Sequence, residues 1–92
     1  MKVLLESIFK KIGVTAEPYT LVNNYGYTIK TEKLTLDVQH TLNVYGVAVD
    51  YWTLRVYKTI TTPNQPYEQV ASHAIDLNMN QSELIDMFKK YL

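Results

Sequence analysis

From residue 34 to residue 44 the chain alternates without a break. Leu34, Leu36, Val38, His40, Leu42 and Val44 share one parity, and Thr35, Asp37, Gln39, Thr41 and Asn43 share the other. Successive side chains on a strand point to opposite faces, so this run predicts a strand with one apolar face and one wet face. Residues 48–61 repeat the pattern. Trp52, Leu54, Val56 and Ile60 lie on one parity, and Tyr51, Thr53, Arg55, Tyr57 and Thr59 on the other.

Between these strands the chain must reverse near Gly46. A two-residue loop at Tyr45-Gly46 would set Leu36 opposite Arg55 and put the two apolar sets on opposite faces. A three-residue loop, Val44 to Gly46, with a bulge at Gly46, brings them together, and burial decides between registers. The expected pairs are then Leu34 with Val56, Leu36 with Leu54, Val38 with Trp52 and His40 with Asp50.

Shorter signals complete the order. Tyr25, Tyr27 and Ile29 alternate with Thr28 and Lys30, predicting a strand over 25–31 that turns at Glu32-Lys33. Pro18 and Asn23-Asn24 leave 14–24 less regular, with Tyr19, Leu21 and Val22 as material for a short edge strand. Residues 67–77 read as a last strand, with Ala71, His73, Ile75 and Leu77 on one parity. Val70, Ser72 and Ala74 on the other are nearly as apolar, so the pattern leaves its orientation open. Thr61 to Pro66 holds two prolines and an asparagine and reads as a connecting loop.

Both termini carry a helical period. Leu4, Leu5, Ile8, Phe9 and Ile12 form one stripe of a helix over 2–12, with Gly13 where a left-handed cap belongs. Leu84, Ile85, Phe88, Tyr91 and Leu92 form the stripe of a second helix, opened by Asn80 with Glu83 three residues on. Two amphipathic helices and one apolar sheet face solve each other's burial problem. The expected fold is α+β: one domain over 1–92, an antiparallel meander of about four strands, both helices on one face. Its expected core is Leu5, Ile8, Phe9, Leu36, Val38, Trp52, Leu54, Val56, Ile75, Leu84, Ile85 and Phe88.

Composition narrows the function classes. The chain has no cysteine, which removes disulfides, thiol catalysis and cysteine–zinc sites. Nine basic and nine acidic residues cancel, whereas proteins built to neutralise phosphates usually carry a basic excess. No stretch approaches the roughly 20 apolar residues of a membrane span, and the N-terminus lacks the continuous apolar run of a signal peptide. A cytoplasmic location without membrane attachment is the resulting expectation. Eight of the nine basic residues are lysine, which with many tyrosines and asparagines points to an AT-rich source genome.

The chain lacks the common catalytic signatures. The three glycines are scattered at 13, 26 and 46, so there is no phosphate-binding loop. No glycine pair flanks a serine as in a nucleophile elbow. His40 and His73 have no spacing that suggests a metal site, and a His40–Asp50 hydrogen bond at the core edge is the simplest use of His40. Asp37 and Asp50 fall on opposite faces and cannot act as a carboxylate pair. No enzyme activity, cofactor or metal is expected.

The tyrosines point elsewhere. Eight occur in 92 residues, and Tyr51 and Tyr57 flank Arg55 on the parity opposite Trp52. Such a face is either an ordinary solvated one, where tyrosine and threonine supply strand propensity, or a contact surface, since tyrosine and arginine dominate interface hot spots. The leading expectation is a small non-enzymatic protein-binding module, a regulator or inhibitor of a host protein of the kind compact mobile-element genes encode. Its contact residues would be Tyr51, Arg55 and Tyr57, with Tyr45 at the hairpin tip. Self-association through this face or an edge strand is also consistent with the pattern. The alternatives are single-stranded nucleic-acid binding, with Lys30, Arg55 and Lys58 supplying charge, and a small enzyme using His40 or His73.

Overall fold

The computed structural model describes residues 1–76 and 78–92. Two helices, α1 (Lys2–Ile12) and α2 (Gln81–Lys89), bracket five strands: β1 (Glu17–Thr20), β2 (Asn24–Lys30), β3 (Leu34–Val44), β4 (Val47–Lys58) and β5 (Gln69–Ile75). The strands pair in chain order as one antiparallel meander. The fold is therefore α+β as expected, with five strands rather than about four. The additional one is β1, whose four residues include Pro18 and sit at the sheet edge, where a missing N–H costs nothing.

The helix ends follow their local chemistry. Gly13 adopts φ 75°, and its N–H closes α1 onto the Lys10 carbonyl. At α2 the Asn80 Oδ1 accepts the Glu83 N–H at 2.9 Å. No described helix is long and apolar enough to cross a membrane.

The helices cover one face of the sheet. Phe9 meets Tyr27 edge-on at 5.2 Å and Phe88 at 5.4 Å, tying α1 to β2 and to α2. Beneath them Leu36, Val38, Leu54 and Val56 are fully buried, with Trp52 and Ile75 nearly so. Every expected core residue is buried except Ile85, which packs half-buried at the margin. Tyr27 and Ile29 join the core because β2 lies directly under α1. The Tyr27 hydroxyl still finds Glu6 Oε1 at 2.6 Å; burial first, then this bond, holds the phenol well above its ordinary titration range. On β5 the side facing the helices is that of Ala71, His73 and Ile75, which oppose Val56, Leu54 and Trp52. Leu77, expected on the same parity, lies outside the described residues.

The β3–β4 register differs from the expected one by two residues. The turn is the two-residue one: Val44 pairs with Val47, and Tyr45 (φ 51°) and Gly46 (φ 81°) are both left-handed. That is a type I′ turn, whose twist matches the strands it joins. The Asn43 Oδ1 accepts the Gly46 N–H at 2.9 Å and braces it. Continued unbroken, this register would misalign the apolar faces. Instead the pairing steps from Asn43–Ala48 to Thr41–Tyr51, so Leu42 alone faces Val49 and Asp50. This bulge restores the parity. The observed pairs are Leu34–Lys58, Leu36–Val56, Val38–Leu54 and His40–Trp52.

Candidate functional site

Among the described residues no helix or strand covers the second face of the sheet, and the register arranges its side chains in rows that cross the strands. One row runs Glu17, Thr28, Asp37, Arg55, Ser72; the next runs Tyr19, Gly26, Gln39, Thr53, Ala74. A third places Lys30 beside Thr35 and Tyr57, and Tyr51 lies opposite Thr41.

Tyr19 links two rows. It pairs directly with Gly26, yet its hydroxyl donates to Asp37 Oδ1 at 2.6 Å, two strands away. A tyrosine on β1 reaches β3 only by crossing β2, and glycine leaves that path open. A Cβ built on Gly26 would come within 1.9 Å of the Val38 carbonyl oxygen, so the backbone packs too closely there for any other residue. Burial and the Asp37 bond push the Tyr19 phenol well above its ordinary range.

With Asp37 engaged by Tyr19, Arg55 has no carboxylate within ion-pair distance among the described residues. The ion pairs there are His40–Asp50 and Lys58–Glu68. A half-buried, unpaired guanidinium thus occupies the middle of the bare face.

Beyond β4 the chain folds back over one end of this face. Gln65 pins the return: its Oε1 accepts the Thr61 N–H at 3.0 Å and its Nε2 donates to the Thr59 carbonyl at 3.2 Å. Lys58 and Glu68 close the neck through a backbone bond and a 2.6 Å ion pair. Tyr67 is thereby brought edge-on to Tyr57 at 6.4 Å. The result is an open cleft of about 700 Å³, lined by Thr28, Lys30, Asp37, Tyr57, Ile60 and Tyr67 among others. Its lining mixes the rings of Tyr57 and Tyr67 and the aliphatic Ile60 with the charges of Lys30, Lys58 and Asp37.

Three of the four contact residues expected from sequence, Tyr51, Arg55 and Tyr57, lie together on this face, spread over roughly 20 Å of β4. Tyr57 belongs to the cleft, and Tyr51 is exposed at the other end. Tyr45 is separate: it caps the β3–β4 turn, fully exposed, beside exposed Leu42 and Val47. Sequence reasoning missed Tyr19, Ile60 and Tyr67. The last two arrive through an irregular loop whose course depends on Gln65, and no periodicity signals such a return.

The histidines lie on the covered side. His40 stacks on Trp52 at 4.5 Å, meets the Tyr25 edge at 4.8 Å, and bonds Asp50 through Nε2. The expected His40–Asp50 contact therefore forms, although Trp52 rather than Asp50 is the direct cross-strand neighbour. His73 Nε2 bonds the Tyr91 hydroxyl. Among the described residues no group of three or more histidines, aspartates and glutamates is placed to hold a metal.

The fold and its surface define an α+β domain with one sheet face sealed by helices and one left open. No protein-family model, curated protein or solved structure matches the chain.

Proposed function

We propose that this chain is a non-enzymatic protein-binding module, a small regulator or inhibitor that meets its protein partner with the bare face of its sheet. One observation carries the reading: the uncovered face presents Tyr51, Tyr57 and an Arg55 that has no carboxylate within ion-pair distance among the described residues. Tyrosine and arginine offer large contact area with a polar handle, which makes them the usual anchors of interfaces. The cleft between Tyr57 and Tyr67 suits an apolar or aromatic side chain of the partner. Lys30 in the cleft lining, and Arg55 two residues along β4 from Tyr57, suit a carboxylate of that partner.

The same face is poorly suited to a nucleic-acid strand. Lys58 is engaged by Glu68, and Asp37 and Glu17 interrupt the remaining cations. A phosphate backbone needs a continuous basic track. The histidines are occupied by Asp50 and Tyr91 on the opposite side, which gives no support to an enzymatic reading.

The test is capture of partners from lysate of the source organism with the wild-type chain and with Tyr51→Ala/Tyr57→Ala and Arg55→Ala variants. The reading requires a captured protein that both variants lose while their circular dichroism stays unchanged. A partner retained equally by both variants would overturn it. So would a ligand that proves to be nucleic acid, released steeply by salt.

A further inference from the structure

The two edges of the sheet are built differently. β1 is four residues long and carries Pro18 and Glu17, a proline and a charge of the kind that blunt an edge against pairing. β5 runs for seven residues, Gln69–Ile75, and contains neither a proline nor an aspartate, glutamate, lysine or arginine. Among the described residues no other segment bonds to the backbone on its outer side. Its regular stretch, Ala71–Ile75, follows an irregularity near Val70 and pairs cleanly with Val56 to Trp52.

We infer that β5 is a homodimerisation edge: two copies of this chain pair β5 to β5 antiparallel about a two-fold axis, joining their sheets into one of ten strands. A strand with no fixed charge opposes its own copy without like-charge repulsion, and the isologous arrangement uses one surface twice. The acidic residues that bound it are Glu68, already neutralised by Lys58, and Asp76, whose carboxylate accepts the Asn78 N–H.

The helices pack on the covered face and not against the outer edge of β5. α1 lies over β2 through Phe9 and Tyr27, and α2 packs beside it through Phe88. Just past α2 the Tyr91 hydroxyl bonds His73 from that same face. The bare faces of both copies then lie on one side of the joined sheet. A strand pair alone is a small interface, so the dimer is weak and depends on concentration.

Sedimentation equilibrium from about 10 μM to about 1 mM tests the inference. The wild-type chain should pass from monomer to dimer across that range. Ser72→Lys and Ala74→Lys, exposed substitutions on the bare side of β5, should each raise the dissociation constant about tenfold or more with unchanged circular dichroism. The cysteine-free chain allows a second reading of the same contact. A single cysteine at Ser72 or Ala74 should be linked into dimers by a short bismaleimide, and one at Thr20 on β1 should not. A wild-type chain that stays monomeric throughout, a dimer indifferent to both lysines, or linkage equal at Thr20 would overturn the inference. Tyr51→Ala/Tyr57→Ala should dimerise like wild type, which separates this edge from the partner-binding face.

Discussion

The two faces of the sheet share one backbone ladder and differ in everything else. On the covered face Leu36, Val38, Leu54 and Val56 exclude all solvent, and the rings of Phe9, Tyr27, Phe88 and Trp52 complete an apolar layer. On the bare face the same strands carry Asp37, Gln39, Thr53 and Arg55, half-buried, with Tyr19 reaching across to Asp37 and the returning loop over one end, but with no helix laid on them among the described residues. Burial of apolar area dominates folding free energy, so the stability of this domain resides on the first face. The second is free to carry contact residues at little cost to the fold.

Substitutions should separate the two faces sharply. Trp52→Ala removes a ring packed against His40 and Tyr25 and should cost about 3–5 kcal/mol, enough to unfold a domain of this size. A thermal melt changed by only a few degrees would contradict its place in the core. Asp50→Ala should cost about 1–3 kcal/mol, because it strips the Nε2 partner from a histidine whose side chain is only 10% exposed. Chemical denaturation reads this directly, and a neutral result would mean that water replaces the carboxylate.

Alkali provides a test that spans both faces. Tyr27 on the covered face and Tyr19 on the bare face both hold their protons well above the ordinary phenol range. The unfolded chain gives them up near pH 10. Their contribution to stability is therefore intact below about pH 10 and is lost as pH rises beyond it. Tyr19→Phe and Tyr27→Phe should each flatten that decline in urea titrations carried out between about pH 9 and pH 11. If Tyr19→Phe leaves the slope unchanged, the crossing over Gly26 does not shield its phenol.

On the bare face alone, Tyr51→Ala and Tyr57→Ala should each cost less than about 1 kcal/mol, the scale of a cross-strand pair. A larger loss would place them in the folding core and weaken the contrast. The smallest effect is expected at the hairpin tip. Tyr45 holds a left-handed conformation that asparagine adopts more readily, and its side chain is fully exposed. Tyr45→Asn should stabilise by about 0.5 kcal/mol, visible as a small rise in Tm. An aromatic ring that strains its turn and gains nothing from the monomer suits contact with another molecule.

Much of this architecture was legible in residue order. The parities of β3 and β4 separated Trp52 from Tyr51 and Tyr57, and the stripes of Leu5, Ile8 and Phe9 and of Leu84 and Phe88 marked the helix faces that close the core. Gly13 and Asn80 ended and began helices where their conformational preferences require. β1 was harder to read: four residues containing a proline carry almost no periodic signal and become a strand only because Gly26 and its neighbours supply a ladder. The cleft was not legible, since Tyr67 reaches Tyr57 through an irregular loop held by Gln65 and by the Lys58–Glu68 pair.

In β5 both parities are nearly as apolar, and only the packing decides which side faces the helices. In β3 and β4 the side a residue occupies follows from alternation between clearly apolar and clearly polar positions, and that the sequence determines by itself. Which residue it faces depends on how a turn and a bulge add up over the whole hairpin. The type I′ turn at Tyr45-Gly46 sets one register, and the extra residue opposite Leu42 shifts it so that Leu36 meets Val56 under α1 and α2. Only tertiary structure decides that shift, because the gain comes from burying both strands against helices that lie far away along the chain.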